Sequence, residues 1–185
     1  MNDNRYGIDY LLDLLVKNGL IGLSQAGEIK RAYQAALGPA GRPVRTKEGP
    51  SSALDPLNYL VSLNLMLPGD NTLGRTVDDD ILARVMAHAA GLPYRRVEQR
   101  DLDLELVTGI LPQSFALRHM VMPLGLENGQ LMVGVRHPFC QQIMEDVRRV
   151  ADQPTQMVIV PTPMLRKLIS EVYNFRGSVV GAEGQ

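Results

Sequence analysis

The chain has no tryptophan and only three phenylalanines, so it offers little of the flat aromatic surface on which proteins stack nucleobases. It also lacks an excess of positive charge. Nineteen Lys and Arg stand against twenty Asp and Glu, a net charge of -1, which removes the general attraction for a phosphate backbone. Both shortages argue against nucleic acid as a partner. A single cysteine, Cys140, leaves nothing to pair with inside the chain, which fits a reducing compartment. No apolar run approaches the roughly 20 residues that cross a bilayer. The first residues, Met1 to Arg5, lack the basic start, apolar stretch and cleavage site of a secretory signal. The expectation is a cytoplasmic protein that meets a membrane only through a partner.

Chemistry-bearing motifs are equally scarce. A phosphate-binding loop needs glycines whose backbone N–H groups wrap phosphate, then a Lys and a Ser or Thr. The nearest stretch, Gly38-Pro-Ala-Gly-Arg-Pro-Val-Arg-Thr46, lacks the lysine step, and its prolines remove the donors. His137 and Cys140 are two possible metal ligands where a structural zinc site takes four, and His88 and His119 have no Cys or His neighbour. Pro138 reads as a helix start with Cys140 near the first turn. The acids Asp101, Asp103 and Glu105 interleave with Leu102, Leu104 and Leu106, the pattern of a solvated edge over a buried one. No histidine stands near them to make an acid-base pair, and no nucleophile elbow occurs. No catalytic, cofactor-binding or metal-binding residue is assigned to this chain.

What the sequence does have is the composition of a globular protein, with 45% hydrophobic and 21% charged residues over 185 positions. That is enough for one full domain or two small ones. Ile8, Leu11, Leu12, Leu15 and Val16 follow helical spacing up to Gly19, a residue suited to a left-handed helix stop. Ser24 reads as the cap of a second helix with Ile29, Ala32, Tyr33 and Ala36 on one face, ended by Gly38. Residues 38–53 are rich in Gly, Pro and basic residues and read as a flexible linker. Asp55-Pro56 starts a third helix. Asp78, Asp79 and Asp80 start a fourth, with a stripe of Ile81, Leu82, Val85, Met86 and Ala89 ending at Gly91. The two helical pairs read as a degenerate repeat in which Leu15 to Ile21 lines up with Leu60 to Met66, and Gly19 with Asn64.

The second half changes period. Tyr94 to Val97 reads as a short strand, and Leu104 to Thr108 and Gln113 to Arg118 as short helices. Val121 to Leu126 and Leu131 to Val135 alternate as strands around Asn128-Gly129, a dipeptide suited to a tight primed turn. A helix with Ile143, Met144, Val147 and Val150 follows, then a strand at Met157 to Val160 and a last helix with Leu165, Leu168, Ile169 and Val172. The fold class is α+β: an N-terminal helical segment, then a small, mainly antiparallel sheet with helices over one face. The division reads as a helical hairpin at 1–37, a linker at 38–53, a core domain at 54–175 and a linker at 176–185.

Several stretches together resemble a family. They are Leu54 to Leu67, Asp79 to Arg84 with Ala90 to Tyr94, Asp101 to Val107, Leu111 to His119, Val121 to Leu124, Asn128 to Val135, Pro138, Glu145 to Arg149, and Phe175-Arg176. Their order and spacing are similar to the amino-terminal domain of bacterial type II secretion ATPases (protein E) and type IV pilus assembly ATPases. The resemblance implies a docking and regulatory module ahead of a hexameric motor. Its expected partner is the cytoplasmic part of an inner-membrane platform protein. ATP and magnesium are expected only for the motor domain, which lies outside this chain.

Some relatives bind cyclic diguanylate through paired helix motifs that begin Arg-Leu-Gly. Counting back from Gly19, the Arg and Gly positions here hold Tyr10 and Leu12; in the second copy they hold Asp55 and Leu57. Without the guanidinium forks and the close backbone approach that glycine permits, the chain departs from that pattern. A diverged cyclic diguanylate sensor remains the alternative to an adaptor. For the adaptor, Ile8, Leu11, Leu12, Leu15, Ile29 and Tyr33 are the expected partner surface. Packing of Leu11, Leu12 and Leu15 on Ile29 and Tyr33 is the competing reading.

Overall fold

A computed structural model describes residues 6–37, 55–68 and 75–182, with side chains through Asn174. The chain divides into two compact units, Met1–Val85 and Met86–Gln185. The expected linker at 38–53 lies outside the described residues. Composition places a boundary at residue 54, whereas contacts place it at Val85/Met86, because the third helix packs against the first.

In the first unit, α1 (Ile8–Lys17) buries Ile8, Leu11, Leu12, Leu14 and Leu15. It stops where Gly19 takes φ +67°: the Gly19 N–H donates to Val16 O at 2.9 Å and the Leu20 N–H to Leu15 O at 2.9 Å. This pair of bonds satisfies carbonyls the helix end would leave open. The following helix, α2 (Leu23–Ala36), packs on α1. It begins behind Gly22 with no side-chain cap, so Ser24 lies inside its first turn and is not the cap the sequence suggested. Gly38, the expected stop, lies outside the described residues, and the helix ends with Leu37 as its C-cap.

Helix α3 (Pro56–Ser62) starts as its sequence dictates. Asp55 accepts from the N–H groups of Leu57 and Asn58 at 3.1 and 3.4 Å, and Pro56 fills the first helical position. The helix ends before Asn64, which takes φ +48°. At this one turn the two helix ends match: Asn64 N–H donates to Val61 O as Gly19 N–H does to Val16 O. Helix α4 (Asp79–Ala90) opens under Asp78, whose carboxylate accepts from Ile81 N–H at 2.8 Å. It buries Leu82, Ala83, Met86 and Ala87. Of the expected stripe, Ile81 and Val85 are half-buried and Ala89 is exposed; the small alanines at 83 and 87 hold the inward positions. Gly91, at φ +63°, ends α4.

The second unit is built on a three-stranded sheet of β1 (Val121–Glu127), β2 (Gln130–Val135) and β3 (Thr155–Ile159), in that order. The expected hairpin is present and antiparallel, with Val121 opposite Val135 and Glu127 opposite Gln130. Asn128 and Gly129 take φ +49° and +76°, as a primed two-residue turn requires. The sheet is mixed, since β3 joins β2 in parallel, with Val135 opposite Ile159. A parallel neighbour needs a crossover, and α7 (Gln141–Ala151) supplies it. The strand expected at Tyr94 to Val97 reduces to one parallel bridge, Tyr94 to Ile159, closed by Arg95 N–H to Ile159 O at 3.0 Å and Ile159 N–H to Pro93 O at 2.8 Å.

Helices α5 (Leu104–Ile110), α6 (Gln113–His119) and α8 (Thr162–Ala182) complete this unit. They share one core with a single sheet face: Val107, Ala116, Met122, Leu124, Met132, Val158, Val160, Leu165, Ile169 and Val172 are all buried together. Gly134 keeps this face close. A Cβ there would stand 3.2 Å from side-chain atoms of both Leu124 and Val160. The opposite face is covered as well, contrary to the one-sided arrangement expected, since Val121, Val133, Val135 and Ile159 have no exposed surface. Helix α7 packs on β3 with Met144 and Val147 buried, while Val150, expected on its apolar face, is 63% exposed. At the far end α8 continues as helix to Ala182, past Phe175 where the sequence reading places a linker.

Candidate functional site

The six residues expected to form a partner surface are all interior. Ile8, Leu11, Leu12, Leu15, Ile29 and Tyr33 are none of them more than 7% exposed. A surface of this kind must be accessible, and these side chains are buried where α1 meets α2 and α3. Tyr33 meets Tyr59 of α3 edge-on, with ring centroids 4.9 Å apart. Burial pushes its hydroxyl pKa up, and the nearby Asp55 and Tyr59 push it the same way. The helical spacing that singled these residues out was the signature of a core.

The positions that correspond to the arginine and glycine of the dinucleotide motif are committed elsewhere. Leu12 and Leu57 are 4% and 2% exposed, side chains in the interior where a glycine would leave bare backbone. Asp55 spends its carboxylate on the first turn of α3. The Tyr10 hydroxyl is raised by burial.

The acids of the Asp101 to Glu105 run also have structural tasks. Asp101 accepts from the Glu98 N–H at 3.1 Å and closes a single 3-10 turn at Gln99–Asp101. Asp103 caps α5, accepting from the N–H groups of Glu105 and Leu106 at 3.1 Å each. At the other motif, Cys140 is the N-cap residue of α7, so the helix opens at Gln141 and Pro138 lies outside it. Its thiol donates to His137 O at 3.2 Å and lies 3.5 Å from His137 Nδ1. That nitrogen accepts from the Phe139 N–H at 3.2 Å. Cys140 is 3% exposed, a burial suited to packing and not to reaction with solutes. Among the described residues no group of three or more His, Cys, Asp and Glu is placed to hold a metal ion. No described helix is long and apolar enough to cross a membrane.

A concave surface does exist, within the second unit. A groove of about 930 Å³ runs between the 3-10 turn, the start of α5 and one face of α8. Val97, Leu102 and Leu168 are buried in its floor, with Leu104 and Met164 partly buried beside them. Its rim carries two exposed ion pairs, Arg100 with Glu98 at 3.0 Å and Lys167 with Glu171 at 3.7 Å. Exposed pairs of this kind are worth little and exchange partners readily. The arrangement can seat an apolar ridge between charges of both signs. Sequence reading missed it, because Pro163, Met164 and Lys167 lie about sixty residues from Val97 to Leu104 and nothing local links them.

Comparison with known proteins agrees with this architecture. Residues 90–179 match the family model of the MshEN domain, a span that holds the whole sheet and its helices. A solved structure of MshE with cdg superposes with a TM-score of 0.58 at 20% identity, covering 88% of this chain and 98% of that one. The N-terminal domain of XpsE superposes at 0.52 with 19% identity, covering 89% and 94%. These likenesses show a common fold. In sequence, the type IV pilus assembly ATPase TfpB of Acinetobacter baylyi is 21% identical over 99 residues, 53% of this chain. The chain spans only 17% of the length of that curated relative. Residues 90–179 are thus similar to the MshEN domain, and the chain is similar in fold to the N-terminal domain of XpsE and in sequence to a type IV pilus assembly ATPase.

Proposed function

We propose that the chain is the N-terminal docking and coupling domain of a type II secretion or type IV pilus assembly ATPase. It binds the cytoplasmic part of an inner-membrane platform protein and passes movement between that protein and the motor. The MshEN match across residues 90–179 carries this reading. The chain's own layout supports it: the carboxylates of Asp55 and Asp103 serve as helix caps. In this reading ATP and magnesium act at a motor domain beyond this chain, and hexamers form through that motor. The protein works in the cytoplasm, at the inner membrane by way of its partner.

The test is a pull-down with the cytoplasmic domain of the platform protein from the same secretion or pilus system. Retention of wild-type chain supports the reading; absence of retention at high micromolar concentration counts against it. Charge reversal on the groove rim, with Arg100→Glu and Lys167→Glu together, asks whether the partner sits there.

The second reading, a cyclic diguanylate sensor, draws on the fold shared with MshE, whose solved structure contains cdg. Leu12, Leu57 and the engaged Asp55 speak against it. Calorimetric titration with cyclic diguanylate separates the two, a saturable signal favouring the sensor.

A further inference from the structure

The chain contains two Asn-Gly dipeptides, Asn18-Gly19 and Asn128-Gly129, and the fold treats them in opposite ways. In both, the residue after asparagine has no side chain to hinder its backbone nitrogen. That nitrogen can reach the asparagine Cγ only if the amide is free to turn and the nitrogen itself is approachable. At the first pair neither condition holds. The Asn18 Nδ2 donates to Leu14 O at 2.8 Å, and the Gly19 N–H donates to Val16 O at 2.9 Å, both parts of the α1 stop.

At the second pair both conditions hold. Asn128 and Gly129 form the tip of the β1–β2 hairpin, and both are exposed. No side-chain hydrogen bond among the described residues fixes the Asn128 amide. Ring closure requires the tip to leave the left-handed geometry of φ +49°, a local opening that a two-residue turn at a sheet's end makes without disturbing the core.

We propose that Asn128 is a site of spontaneous chemical modification, the place where this domain ages first. The Gly129 nitrogen forms a bond to Asn128 Cγ, the bond from Cγ to the side-chain nitrogen breaks, and ammonia leaves with the proton from the Gly129 N–H. Water then opens the resulting five-membered imide at either carbonyl, giving aspartate or isoaspartate. The isoaspartate product is the substrate class of carboxyl methyltransferases that act on such residues. Its consequence is local and directed. A new carboxylate appears beside Glu127, which Arg95 holds, and the isoaspartate form adds a backbone carbon to a turn whose length sets the pairing of Glu127 with Gln130.

The experiment incubates the folded chain in mildly alkaline buffer, with circular dichroism confirming that it stays folded, and maps peptides by mass and by methylation with an isoaspartyl carboxyl methyltransferase. A parallel sample is kept in urea. In the folded chain Asn128 is expected to convert at least about tenfold faster than Asn18, whereas in urea the two convert at similar rates. Equal rates at the two sites in the folded chain overturn the proposal. So does an unreacted Asn128 in the folded chain while the urea sample converts.

Discussion

Arg95 and Glu127 form a two-pronged ion pair: Nη2 meets Oε2 at 2.6 Å, and Nη1 meets Oε1 as well. The pair joins the end of the hairpin's first strand to the segment that bridges β3. The hydrogen bond from Arg95 holds the Glu127 carboxyl below its ordinary value of 4.5; burial opposes this and the Arg95 charge adds to it. A carboxyl held low in the folded state contributes stability above its unfolded pKa, and that contribution is lost as pH falls through the folded value. Glu127→Gln is therefore expected to melt below wild type at neutral pH and together with it well into the acid range. A difference that persists unchanged in acid would show that the pair acts by shape alone.

The carboxylates of Asp55 and Asp103 act as helix caps, so their shape matters more than their charge. Asp103→Ala is expected to cost about 1 kcal/mol in urea unfolding, and Asp103→Asn, an equally good cap, only a few tenths. The same contrast is expected at Asp55. Equal losses for Asn and Ala would mean that the negative charge does other work.

Two residues that are not glycine share left-handed geometry but differ in burial. Asp152, at φ +51°, is exposed at the end of α7, and Met120, at φ +49°, is 6% exposed at the end of α6. Replacing Asp152 by glycine removes backbone strain and an acid from a negative helix end, and stabilisation by up to about 1 kcal/mol is expected. Met120→Gly relieves similar strain but empties a core position, with a net loss of roughly 1–3 kcal/mol. Denaturant midpoints of both variants check the pair of signs.

Leu15 and Leu23 separate core from surface in the helical unit. Leu15 has no exposed surface and Leu23 is 80% exposed. Leu15→Ala is expected to cost roughly 2–5 kcal/mol, and Leu23→Ala within about 0.5 kcal/mol. A Leu15→Ala chain of full stability that fails to bind its partner would restore the surface role first assigned to that stripe.

These residues also show how far the sequence could be read. Turns and caps governed by local chemistry were legible: Gly19, Asp55-Pro56, Gly91 and Asn128-Gly129 each do what their types require. So was the α+β class, from the change of period after Gly91. What stayed hidden depends on distant partners. The parallel pairing of β3 with β2 and the bridge at Tyr94 have no local marker, because a strand's neighbours are set by the whole sheet. The burial of Leu11, Leu12 and Leu15 was one of two readings the sequence allowed, because an apolar stripe has one appearance whether a neighbouring helix or a foreign protein covers it. The groove beside α8 joins segments far apart in the chain and had no sequence signal at all.

The central claim is that this domain works by gripping a protein partner. Calorimetric titration of the purified chain with the platform protein's cytoplasmic domain tests it most directly, with cyclic diguanylate titrated separately under the same conditions. The account predicts saturable heat for the protein and none for the dinucleotide. Saturable binding of the dinucleotide with no heat from the platform domain would contradict it.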